Sequence, residues 1–166
     1  MIRFIVDEML GHLVRWLRIL GFDTLSAIDL RESTADVDRP ILLAALKEGR
    51  IVVTSDKQLL MRAMRIGLDA IYIEPNSDKV KALRKILEEF KAFNEARKNM
   101  FTRCPMCNGQ LVKVEGKDIS TIKDRIPEGV LKFHKMFWVC KKCGKIYWIG
   151  SHFRNIKRIL AEVLNE

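Results

Sequence analysis

Short strand-like runs alternate with helix-spaced apolar stripes through residues 1–100, and this alternation constrains the fold more than any other feature of the chain. Ile2, Phe4, Ile5 and Val6 form the first run, DTLSA at 23–27 the second, IVVT at 51–54 the third and AIYI at 70–73 the fourth. Near-continuously apolar runs of this length belong to strands buried on both faces, as in parallel sheets. Between them, Leu10, Leu13, Val14, Leu17 and Leu20 recur at helical spacing and stop at Gly21. Asp38-Arg39-Pro40 opens a second helix, with Pro40 tolerated near its first turn, and Ile41, Leu42, Ala45 and Leu46 lead to a stop at Gly49. Residues 57–66 read as a third helix, and 78–98 as one long fourth helix with Val80, Leu83, Ile86, Leu87, Phe90 and Phe93 on its inner stripe. The polar stretch 28–37 reads as a loop. The order β-α-β-α-β-α-β-α predicts an α/β domain, a parallel sheet flanked by helices on both faces.

The first and third runs both end on an acid, at Asp7 and Asp56, and Asp38 opens the helix between them. In a right-handed parallel layout these positions share the carboxyl edge of the sheet, where open α/β folds bind ligands. Carboxylates gathered without basic partners repel one another, so a divalent cation is expected. Oxygen-only ligands suit Mg²⁺ or Mn²⁺, and the matching chemistry is phosphodiester hydrolysis. Helix capping is the competing account of each acid taken singly. Asp36 competes with Asp38 for the middle role, and Glu8, Glu74 and Asp78 are weaker candidates for a fourth ligand. On the first helix, His12, Arg15 and Arg18 fall at i, i+3 and i+6. Arg15 and Arg18 are placed to meet phosphates near Asp7, or else form a solvated face. Trp16 reads as helix packing.

From Phe101 the composition changes. Cys104 and Cys107 form one C-x2-C knuckle and Cys140 and Cys143 another, 32 residues on, each running into strand-like residues. Two such knuckles predict a zinc ribbon with four thiolates closed around one structural Zn²⁺, iron at the same cysteines being the rival. So small a unit leans on its ion to fold. Of the net charge of +9, residues 1–100 carry 17 Lys/Arg against 15 Asp/Glu, and residues 101–166 carry 13 against 6. The surplus therefore sits beside the cysteines, where Lys132, Lys135, Lys141 and Lys142, with Arg103 and Arg125, resemble a polyanion-binding surface. Among the ribbon aromatics, Phe133, Phe137, Trp138, Tyr147 and Trp148 are able to stack on unpaired bases, although packing of a small core explains most of them. Ser151 is placed to cap a last helix striped by Phe153, Ile156, Leu160, Val163 and Leu164; His152 reads as a neighbour of the ribbon rather than a ligand. The expected organisation is a nuclease-type domain over 1–100, a ribbon with a basic insertion over 101–150 and an amphipathic helix over 151–166. No run is long enough to span a membrane, and the N-terminal residues lack a signal layout, so a cytoplasmic protein is expected.

The runs VDEMLGHLVRWLRILGFDT, DRPILLAALKEGRIVVTSD and CKKCGKIYWIGSH together resemble the Mut-seven C-terminal RNase family. The resemblance covers essentially the whole chain. It implies a PIN-like nuclease domain with a Rossmann-type sheet and an appended zinc ribbon, RNA as partner, and a metal-dependent site at Asp7, Asp38 and Asp56. Its ribbon cysteines fall on Cys104, Cys107, Cys140 and Cys143. Where PIN-type nucleases often carry a fourth acid beside the third, this chain has Lys57 and Gln58, which leaves open one ion or a second that arrives with substrate. Endo- or exonucleolytic mode is not transferred. The alternative reading is a non-catalytic RNA- or ribosome-binding module that retains the acidic edge.

Overall fold

The computed structural model describes residues 1–30, 36 and 38–165, without the side chains of Ser151 and His152; the last helix begins at Ser151 itself, with Gly150 in the N-cap position expected for Ser151. Strands β1 (Arg3–Val6), β2 (Asp23–Ser26), β3 (Ile51–Thr54) and β4 (Ala70–Tyr72) form a parallel sheet in the order β2-β1-β3-β4. The chain leaves β1 on one side to make β2, then crosses back past β1 to make β3. The topological switch point therefore lies between β1 and β3, with Val6 in register with Val53. Helices α1 (Gly11–Ile19), α2 (Asp38–Glu48), α3 (Lys57–Arg65), α4 (Lys79–Glu89) and α5 (Phe93–Asn99) connect and cover the strands.

Alternation along β1 explains why its sequence is apolar throughout. Phe4 and Val6 join a layer with Leu13, Leu17, Leu83 and Leu87, whereas Ile5 faces Ile41, Ala45, Val52, Leu59 and Ala63. Both faces are thus dry, as the apolar runs predict. The expected loop at 28–37 begins as a 3-10 turn at Ala27–Leu30; residues 31–35 and 37 lie outside the described residues. The expected single helix over 78–98 is broken in two. Lys91 takes φ 50°, Lys91 N–H reaches Glu88 O and Ala92 N–H reaches Leu87 O at 2.8 Å, the paired bonds of a Schellman stop. The break turns α5 so that Ala92 and Ala96 are buried. At the end of α1, Gly21 takes φ 92°, and a Cβ there would lie 2.1 Å from Asn99 O, so this close crossing admits no side chain.

The second sheet is antiparallel, β5 (Leu111–Glu115), β6 (Met136–Cys140) and β7 (Ile146–Trp148) in that order. Between β5 and β6 the insertion forms 3-10 turns and a short helix α6 (Glu128–Phe133), with Ile122, Ile126 and Phe137 as its own small core. Helix α7 (Ser151–Leu164) then returns to the parallel sheet. Its Ile159, Leu160, Val163 and Leu164 join the layer of Leu83 and Ile86, so the C-terminal helix completes the main core. Among the described residues, no helix is long and apolar enough to cross a membrane.

Candidate active site and metal centre

Asp7 directly follows β1. Its N–H extends the ladder to Val53 O at 2.9 Å, and its carboxylate accepts a hydrogen bond from Thr54 Oγ1 at 2.9 Å. Thr54 Oγ1 in turn accepts the N–H of Asp56 at 2.9 Å. One buried hydroxyl therefore ties the acid after β1 to the segment of the acid after β3, across the switch point. Asp7 is only 9% exposed, so it lies in surroundings where electrostatic interactions are stronger than in water. Asp56 caps α3, its Oδ1 accepting from Gln58 N at 2.6 Å and Leu59 N at 3.3 Å. Between them, Ser55 Oγ is buried with no hydrogen-bond partner among the described residues.

Asp38 sits in the first turn of α2 and meets Arg62 of α3 at 2.8 Å; Arg62 also grips Asp36 through two bonds of 2.7 and 2.9 Å. Asp36, rather than Asp38, makes the local turn bond, accepting Asp38 N–H at 3.2 Å. Burial pushes the Asp38 carboxyl above the usual carboxylate range; Arg62 pulls against this, and the charges of Asp56 and Asp36 add to the rise. The Arg62 guanidinium holds exposed Asp36 below that range. Asp38 and Asp56 thus feel one another along this edge. The expectation of acids without basic partners fails at Asp38, because α3 brings Arg62 across the opening of α2. With Asp38 drawn to Arg62 and Asp56 capping α3, Asp7, Asp38 and Asp56 are not among the described ligand groups that converge closely.

The described side chains that do are the cysteines. Ligating atoms of Cys104, Cys107, Cys140 and Cys143 all lie within 4.8 Å of one another. Each knuckle turns tightly enough for backbone N–H groups to face sulfur: Lys142 and Cys143 donate to Cys140 Sγ at 3.4 Å, and Tyr147 Oη lies 3.0 Å from Cys104 Sγ. Gly109 is required here, since a Cβ would stand 2.8 Å from Cys140 Sγ and 2.6 Å from Lys142 Cβ. Burial pushes Cys107 up to about 12. At Cys104 burial also raises the thiol, but bonds from Tyr147 and the backbone outweigh it and bring it to about 7. Four converging sulfurs with N–H groups aimed at them are a donor set that fits tetrahedral zinc.

The cations expected to meet RNA divide into two groups. Arg18 is a correction. It is 4% exposed, and its guanidinium donates to Thr24 O at 2.9 Å, Met106 O at 2.8 Å and Pro105 O at 3.3 Å, so it bolts the first knuckle to the sheet. A signal was present: Arg18 is four residues beyond buried Val14, on the inner face of α1. Arg103 and Arg125 are likewise engaged, Arg103 with Asp23 and Asn108 O and Arg125 with Gly144 O. Arg15, Lys132, Lys135, Lys141 and Lys142 are exposed. Trp16 is half-buried against the main core, with Lys79 over its ring.

Fold and site together define a Rossmann-type α/β domain with acids along its carboxyl edge and a four-cysteine ribbon docked against it. The chain matches the Mut7-C RNAse domain over residues 2–160, and it belongs to that family. Membership suggests a ribonuclease, with RNA as the substrate class. No curated protein and no solved structure matches the chain.

Proposed function

We propose that the protein is a divalent-metal-dependent, PIN-like ribonuclease whose reaction centre is the carboxyl edge between β1 and β3. The observation that carries this reading is the hydrogen-bonded run Asp7–Thr54–Asp56 across the switch point, with Asp38 in electrostatic reach of Asp56. Among the described residues Arg62 pairs with Asp36 and Asp38, and the oxygens of Asp7, Asp38 and Asp56 suit a hard cation. Asp7, Asp38 and Asp56 would hold Mg²⁺ or Mn²⁺, which supplies charge neutralisation at the scissile phosphate. Thr54 fixes the Asp7 carboxylate so that it needs no reorganisation, and the capping bonds of Asp56 orient that side chain. Arg62 holds Asp38 at 2.8 Å, and for Asp38 to join such a cation it would have to turn from that guanidinium. Exposed Arg15, Lys132, Lys135, Lys141 and Lys142 attract the RNA backbone. Thiolates kept for Zn²⁺ suit a reducing compartment such as the cytoplasm.

A second reading, an RNA- or ribosome-binding module without hydrolysis, is favoured by the hold of Arg62 on Asp38. Purified protein incubated with structured and single-stranded RNAs, with and without Mn²⁺, separates the two. Asp7→Asn and Asp56→Asn are expected to lower cleavage at least about 100-fold while RNA affinity stays near wild type. Asn caps helices as well as Asp does, so the Asp56 change leaves α3 in place. Cleavage by either variant at the wild-type rate would remove the acids from the mechanism.

A further inference from the structure

A cleft of about 320 Å³ opens between α1, the ribbon and α7, at the lower end of the size range of small-ligand pockets. Its walls include Trp138, Trp148 and Phe153, and its rim carries Arg15 and Lys157. Trp148 and Ile149 are 37% and 45% exposed, large apolar surface left uncovered where the ribbon meets the main domain. Phe153 is backed by Phe101 at 5.1 Å between ring centroids, and Lys157 Nζ stands 5.5 Å over the Phe153 ring. Exposed Arg15, on α1, also lines the cleft.

We infer that this cleft is a docking site for one unpaired nucleotide of RNA, its base against the exposed Trp148 ring and its phosphate toward Arg15 and Lys157. The inference rests on RNA being the partner but not on hydrolysis. Aromatic faces accept any base, and flanking cations meet the phosphate that accompanies it; this combination distinguishes single-strand sites. An apolar peptide would fill the walls but leave the cations at the rim unmatched.

The test is anisotropy of a labelled, unstructured oligoribonucleotide with the full chain in buffer without added divalent cation or chelator, so that the ribbon is undisturbed. The same sequence annealed as a duplex is the comparison. Trp148→Ala is expected to weaken single-strand binding about fivefold or more, and Trp148→Phe to restore most of it. Ile149→Glu, at an exposed position that does not endanger folding, is expected to weaken it comparably by repelling phosphate. Arg15→Ala should weaken it and flatten its salt dependence. Binding unchanged by both Trp148→Ala and Ile149→Glu overturns the inference and leaves the cleft to a peptide. Duplex affinity equal to single-strand affinity, with equal dependence on Trp148, also overturns it. Because the readout needs no cleavage, failure here leaves the acidic site untouched, and cleavage by Asp7→Asn would leave this cleft standing.

Discussion

Asp23, at the first position of β2, takes Arg50 at 2.8 Å and Asn108 at 2.7 Å, with Arg103 at 3.5 Å. Burial alone would raise this carboxyl, but the bonds from Arg50 and Asn108 and the charges of Arg50 and Arg103 outweigh it and bring it below the ordinary 3.8. Folding therefore favours the ionised form. The stabilisation is full above the ordinary carboxylate value and is lost as pH falls through the lower folded value. Asp23→Asn is expected to lower unfolding free energy by about 1–3 kcal/mol at pH 7, a difference that shrinks once pH falls below 3.8. Urea unfolding of both proteins at neutral and acid pH measures this. Such contacts were not legible in the chain, because Asp23 and Asn108 are 85 residues apart and periodicity carries no information about a side chain's distant partner. Arg62 escaped notice for the same reason: its partners Asp36 and Asp38 precede it by 26 and 24 residues.

At the level of elements the sequence was far more informative. The run at 51–54 became β3 without change, and both cysteine knuckles folded as their spacing required, because local chemistry decides these features. The split between α4 and α5 was hidden because the residue that turns the chain is a lysine where glycine is usual. Lys91 holds φ 50° with its Cβ crowding the following carbonyl. Lys91→Gly removes that penalty, partly offset by the greater freedom of glycine in the unfolded chain. It is expected to stabilise the protein by about 0.5–1 kcal/mol, read as a higher urea midpoint at unchanged slope. A lower midpoint would mean that the lysine side chain contributes more than the backbone conformation takes away.

Across the whole molecule, the ribbon is built into the path of the main core. The chain leaves the parallel sheet through Phe101, whose N–H bonds Ile19 O at 2.9 Å, forms the ribbon, and returns as α7 to the layer of Leu83 and Leu87. The first knuckle also supplies the carbonyls of Pro105 and Met106 to buried Arg18, and Asn108 to Thr24 N and Asp23. If the cysteine centre lost its metal and the knuckle loosened, Arg18 would be left as a buried cation short of acceptors, which is strongly destabilising. The ribbon and sheet should therefore melt as one unit rather than in sequence. Stripping metal with a chelator is expected to lower the melting temperature by about 10 °C or more and to keep a single transition by circular dichroism. Cys104→Ser should reproduce that loss, and Arg18→Ala should give a smaller one with zinc content unchanged. A chelated protein whose helical signal melts at the original temperature would show instead that the sheet and α7 hold together without the ribbon, and that the carbonyls accepting from Arg18 are replaced by water at little expense.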